Sequence, residues 1–202
     1  MTAYFMHYCK KLKAKLLFVM GCLGIVLALF SFTANSYAGQ AQLTIKSAEL
    51  QAQEDKFHVT LELDLQFNAA LEEALNKGIP LTLLYEFQLT QPRKYWFDEE
   101  VISQSQRITI SYHALSRQYL IKRHQQQQSY ANLAQAKEAL SKIKDWVVFD
   151  KSLLHKGEPY SAALRVRLDQ SRLPKALQAE AASSEEWSMV SERFRWTPAF
   201  NL

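Results

Sequence analysis

The sequence predicts a mainly β protein whose antiparallel strands stack as a sandwich, and three observations carry that expectation. Residues 57–67 alternate without a break: Phe57, Val59, Leu61, Leu63, Leu65 and Phe67 interleave with His58, Thr60, Glu62, Asp64 and Gln66. A period of two puts one face of a strand in the core and the other in water. The same period returns in Leu81, Leu83, Tyr85, Phe87 and Leu89, and again in Tyr160, Ala162, Leu164, Val166 and Leu168. Finally, both cysteines, Cys9 and Cys22, precede residue 39. The remainder has no disulfide to rely on and must be held by burying those apolar faces.

Taken in order, Gln42–Leu50 places Leu43 and Ile45 on one side and leads through the polar Gln51–Lys56, with its Glu54-Asp55 turn, into the 57–67 strand. Residues 42–67 are therefore a hairpin. Asn68 caps a short helix, since its side-chain oxygen can accept from an unpaired first-turn amide. Glu72 and Glu73 lie near the positive helix start, and Gly78 ends it as a left-handed cap. Pro80 opens the next strand, and Gln91-Pro92 breaks it. A strand pair follows, Arg107–Tyr112 with Ile108, Ile110 and Tyr112 in phase, and Gln118–Lys122 with Tyr119 and Ile121. Gln125–Gln128 reads as a strand end or exposed turn.

A second helix runs from about Asn132 to Lys144, with Leu133, Ala136, Leu140 and Ile143 at helical spacing. Val147–Phe149 is a brief strand and His155-Lys156-Gly157-Glu158 a turn before the 160–168 strand. Leu173–Ser184 reads either way. A last strand over Ser188–Trp196 points Phe194 and Trp196 inward and Arg193 and Arg195 outward. Seven or eight short strands with two short helical insertions match the immunoglobulin-like general architecture, without its disulfide. No linker divides residues 39–202, which read as a single exported β-rich domain.

Residues 1–38 give the address. Lys10, Lys11, Lys13 and Lys15 precede an uncharged apolar run, Leu16–Phe32, and then a small-residue segment ending Ser36-Tyr37-Ala38. That order is a secretory signal peptide, with cleavage expected before Gly39. The alternative is an uncleaved anchor, which would confine membrane contact to residues 16–32, although a spanning helix needs ~20 apolar residues. Lipidation at Cys22 is set aside, because Leu23–Phe30 is apolar where a lipoprotein tether is polar. The expected location is the periplasm, or the periplasmic face of the inner membrane if the leader is kept. The whole chain has 24 Lys and Arg against 20 Asp and Glu. Removing the leader leaves bases and acids equal in number, and scattered, which excludes a nucleic-acid footprint.

The densest segment chemically is Gln91–Glu100, where Arg93, Lys94, Tyr95, Trp96, Phe97, Asp98, Glu99 and Glu100 stand together. As a recognition loop it offers rigid aromatic area and forked Arg hydrogen bonds, making Arg93, Lys94, Trp96, Asp98 and Glu99 the candidate interface. As scaffold, Tyr95 and Phe97 point into the core and Trp96 away from both. The three consecutive acids invite comparison with glycosidase carboxylate pairs, but alternation in a strand splays them. His58, His113, His124 and His155 lack metal-ligand spacing, so no metal is expected. His113 and Ser116 read as part of a turn between strands rather than a nucleophilic pair. No catalytic, phosphate-binding or dinucleotide motif is present, and no cofactor is expected.

Several of these segments together resemble the DUF4390 family of exported proteobacterial proteins. They are Gly78-Ile79-Pro80-Leu81, the Pro92–Glu99 run centred on Tyr95-Trp96-Phe97-Asp98, Tyr112–Tyr119, Asp145-Trp146, and Leu173-Pro174-Lys175 followed by Trp187. The resemblance implies a single exported domain without assigned activity. It also implies gene neighbours encoding a membrane sensor kinase and its response regulator, hence an envelope signalling partner. The leading expectation is a non-enzymatic envelope binding or accessory module whose partner is an envelope or inner-membrane protein. The alternatives are an envelope polymer hydrolase using Asp98 or Glu99, and a small-ligand carrier with a pocket between its sheets.

Overall fold

The computed structural model describes residues 41–200, all within one compact unit. The leader and its cleavage site lie outside the described residues. Two antiparallel sheets make up the fold: a three-stranded sheet in the order β1-β2-β7 and a six-stranded sheet in the order β6-β5-β4-β3-β8-β9.

Strands β1 (Gln42–Gln53) and β2 (Lys56–Gln66) form the expected hairpin, turning at Glu54, whose φ is 51°. Phe57, Val59, Leu61, Leu63 and Leu65 are all buried. In β1 the pairing moves from Ile45↔Leu63 to Ser47↔Glu62, so Lys46 is an extra residue. That bulge resets the phase, and Ala48 joins Leu43 and Ile45 inside.

Helix α1 (Ala69–Asn76) is fixed at both ends. Asn68 Oδ1 accepts from Leu71 N at 2.9 Å, while its Nδ2 donates to Glu186 O at 2.8 Å. At the other end Ile79 N donates to Ala74 O at 3.0 Å and Gly78 N to Leu75 O at 2.9 Å. This is a Schellman closure, and it requires the left-handed backbone that Gly78 supplies at φ 87°. Leu71 and Leu75 face the core.

The central strand β3 (Leu81–Gln91) lies between β4 (Glu99–His113) and β8 (Ser161–Leu168). From β4 the chain meanders through β5 (Gln118–Arg123) and β6 (Gln126–Tyr130). Helix α2 (Leu133–Ser141), capped by Asn132, then delivers β7 (Lys142–Asp150) to the small sheet beside β2. After β8 returns to lie next to β3, as the last strand of a Greek key does, helix α3 (Lys175–Ser183) and the short β9 (Phe194–Trp196) complete the fold.

The two inner faces share one core. Phe149 of β7 stacks on Phe57 of β2 at 4.8 Å between centroids and on Phe87 of β3 at 6.2 Å. Phe200 closes edge-on against Phe57 at 5.0 Å. Such pairs add ~0.5–1.5 kcal/mol beyond the area they bury. Within the core, Tyr85 donates its hydroxyl to Leu140 O at 2.9 Å, and burial raises its pKa.

The structure corrects several expectations. Among the described residues there are three α-helices and nine strands, because Leu173–Ser184 contains α3 and Gln126–Tyr130 is a strand. β4 begins at Glu99 rather than Arg107, since Gln104 and Gln106 interrupt the apolar face between Ile102 and Ile108. The second helix stops at Ser141, and Ile143 already belongs to β7. β7 is longer than Val147–Phe149 because two irregularities disguise it. Lys144 and Asp145 together oppose Thr60, with Asp145 at φ 56°, and the pairing shifts again between Phe57 and His58. Ile143, Trp146, Val148 and Phe149 are thereby all buried despite their uneven spacing.

Candidate functional site at the β3–β4 loop

The ladder between β3 and β4 ends at the pair Gln91↔Glu99. Pro92 follows at once, and a residue without an N–H cannot extend the pairing. Residues 92–98 are therefore a loop, and every residue of the candidate interface lies on it or at its foot.

The foot is tied down. Arg93 forms an ion pair with Glu99, and Gln88 donates its side-chain amide to the Glu100 carboxylate. Gln91 Nε2 donates to Glu158 Oε2 at 2.6 Å, joining the loop to the 155–158 turn, and Thr90 Oγ1 donates to Ser161 O at 3.3 Å. A register shift between Leu89 and Thr90 gives β4 an extra residue here, Val101. Above this base the side chains are bare. Tyr95 is 87% exposed, Trp96 79% and Phe97 90%. Lys94 Nζ sits 5.9 Å from the Tyr95 ring centroid, within cation–π range.

This overturns the scaffold reading of the segment. Tyr95 and Phe97 are not core residues but are exposed like Trp96. Alternation holds only while a ladder holds, and here it stops at Gln91. Of the candidate residues, Arg93 and Glu99 engage each other, whereas Lys94, Trp96 and Asp98 face solvent. Tyr95 and Phe97 join them as exposed contact area. Full burial of a side chain the size of Phe is worth about 1.5–3 kcal/mol. Contiguous bare aromatics are the usual mark of an interaction surface. The acids are divided among different environments: Glu99 goes to Arg93, Glu100 to Gln88, and Asp98 to water.

Two other places bear on the alternatives. His113 Nδ1 lies 2.9 Å from Ser116 Oγ and 3.4 Å from Ser116 N, closing the exposed β4–β5 turn. Among the described residues no carboxylate bonds the other ring nitrogen, so the orienting third group of a nucleophilic triad is missing. Between β4 and β7 an open groove of about 470 Å³ is lined by Val101, Ile102, Val147, Phe149 and Leu153, with Lys56 and Gln104 at its polar side.

Sequence reading missed a further grouping. The bases scattered along the chain are partly gathered by the six-stranded sheet, whose outer face carries Arg107, Arg165, Arg167 and Arg195. The signal was the x-Arg-x-Arg alternation in two segments that end up adjacent. At the border of that face Asp169 is buried. It accepts from Arg107 Nε at 2.9 Å and from Ser171 Oγ at 2.5 Å. Burial pushes its carboxyl up, but the Ser171 hydroxyl and the Arg107 guanidinium, helped by the Arg167 charge, outweigh it and hold the pKa below the ordinary 3.8.

The chain belongs to the family described as Domain of unknown function (DUF4390), which it matches over residues 40–197. Neither a curated protein nor a solved structure matches it.

Proposed function

We propose that this DUF4390 protein is a non-enzymatic binding or accessory module of the cell envelope, facing the periplasm, and that the 92–98 loop is its contact element. The observation that carries the reading is the exposure of Tyr95, Trp96 and Phe97 side by side on a tied base. Aromatics of this kind, with Arg beside them, are the residues that dominate binding energy at protein interfaces. The basic, apolar, small-residue order of residues 1–38 supports the periplasmic address. The gene neighbourhood that the family implies makes a membrane sensor kinase system the first partner to test.

A photo-crosslinking residue placed at Trp96 in cells tests the loop. Leu115 is the control, being 93% exposed in the turn at the opposite end of β4. An adduct from position 96 and none from 115 is expected. No adduct from 96, or equal adducts from both, removes the loop as contact element. Intact-mass measurement on the envelope fraction tests the address: a chain starting at Gly39 is expected, and a full-length mass would mean that residues 16–32 stay as an anchor.

The groove between β4 and β7 supports a second reading as a small-ligand carrier, because Val147 and Leu153 leave apolar surface uncovered there.

A further inference from the structure

The inner face of the six-stranded sheet is built from Leu83, Tyr85 and Phe87 of β3 and Leu164 and Val166 of β8. The residues between them must point outward. The register then places Arg165 opposite Glu86, which is itself opposite Ser105, and places Arg167 and Arg107 on either side of Leu84. Ala163 stands between Gln88 and Arg195. Just before β9, Arg193 donates to Gln88 Oε1 at 3.4 Å. Three strands thus contribute arginines to one face.

The carboxylates on this face are largely committed. Glu86 accepts from Arg167 at 3.3 Å, Asp169 holds Arg107, and Glu100, opposite Thr90, accepts from the Gln88 amide. Glu192, the chain neighbour of Arg193, is exposed. Among the described residues Arg165, Arg193 and Arg195 form no ion pair. Between Arg165 and Arg193 on one side and Ser103, Ser105 and Gln88 on the other runs a groove of about 380 Å³. A guanidinium is a planar fork that matches a carboxylate with two parallel hydrogen bonds, and the serine hydroxyls supply further donors.

We infer that the outer face of the six-stranded sheet, centred on Arg165, Arg193 and Arg195, binds an extended acidic polypeptide segment. This surface is separate from the aromatic loop. Arg193 and Arg195 are two residues apart, a separation of ~6.6 Å in an extended chain. Alternate side chains of an extended peptide repeat at the same distance, so acids at every second position meet successive guanidiniums. A bilayer is a poorer match. The apolar residue at the centre of this face, Leu84, is buried, and Val190 alone beside it is exposed. Single-stranded nucleic acid is poorer still, because this face presents no aromatic platform for base stacking.

Fluorescence anisotropy of the whole protein with a labelled peptide of alternating glutamate and serine tests the inference. Binding that weakens as salt is added is expected, and the Arg165→Gln/Arg195→Gln variant should weaken it by at least about tenfold. Lys142→Gln removes a charge on the small sheet, one paired with Glu138, and should leave binding unchanged. If the double variant melts early, Arg193→Gln, at an exposed position ahead of β9, takes its place in the comparison. The inference is overturned if the peptide does not bind, or if it binds the arginine variant as well as the parent. It is equally overturned if vesicles containing anionic phospholipid, or a single-stranded oligonucleotide, are captured more tightly than the peptide.

Discussion

Phe87 and Phe97 lie close together in sequence, at opposite ends of the exposure scale: 1% for the first and 90% for the second. Phe87 is in the stack that joins the two sheets, with Phe149 and Trp146 on it. Phe97 stands with Tyr95 and Trp96 on a loop that no described residue covers. Residue type does not distinguish the two groups, and hydrophobicity alone would bury both. The difference is whether a ladder fixes the direction of each side chain. Phe87 is paired on both sides, by Gln104 and Leu164, whereas the pairing of β3 with β4 has ended before Tyr95 is reached.

The largest effect should come from the buried group. Phe149→Ala removes the ring that touches both Phe57 and Phe87 and should cost about 3–5 kcal/mol in urea unfolding. Domain stabilities run to only about 5–15 kcal/mol, so the loss should dominate the curve. A cost under about 1 kcal/mol would mean that the stack does not hold the sheets together. Next, Leu63→Ala should cost about 2–5 kcal/mol, while its outward neighbour Glu62→Ala stays within about 0.5 kcal/mol. Equal costs would refute the face assignment of β2.

A buried charge extends the comparison. The folded pKa of Asp169 lies below its unfolded one, so the carboxylate adds stability at pH above about 3.8 and that gain is lost as pH falls through the folded value. Asp169→Asn should therefore melt earlier than the parent at neutral pH, and the gap between them should close on acidification. A gap that persists in acid would show that the carboxylate charge is not its source.

The smallest stability effect belongs to the loop. Trp96→Ala should leave the thermal midpoint within the range of a neutral surface change, about 0.5 kcal/mol, while abolishing the contact-dependent capture of the partner. A drop of several degrees would place Trp96 with Phe87 rather than with Phe97.

Much of this fold could be read from the chain. β2 and β8 follow a period of two, β3 does so apart from Leu84, and Asn68 and Gly78 mark the ends of α1 by capping chemistry that acts locally. What could not be read was non-local. The irregularities of β7 arise from its pairing with β2, and they break the period that would have announced it. Helix α3 buries Ala181 and half-buries Leu177, too little to leave an apolar stripe. The first half of β4 carries Gln104 and Gln106 on its inner side, where an apolar residue would have revealed the strand. For the site, composition alone singled out the 92–98 segment, but the directions of Tyr95 and Phe97 depended on where the ladder stopped. The arginine face was invisible as a cluster because register assembles it from separate strands.

The bulge at Lys46 has a consequence for how copies of this protein coexist. β1 is twelve residues long and forms one edge of its sheet. A long straight edge is a template onto which another chain can add, the first step of fibril growth. The extra residue bends that edge, and the lysine that stands there has its ammonium group 3.6 Å from Asp64 of β2. A second copy approaching edge to edge meets a bent ladder. The same residue that restores the inward phase of β1 also makes its free edge a poorer template for a second copy.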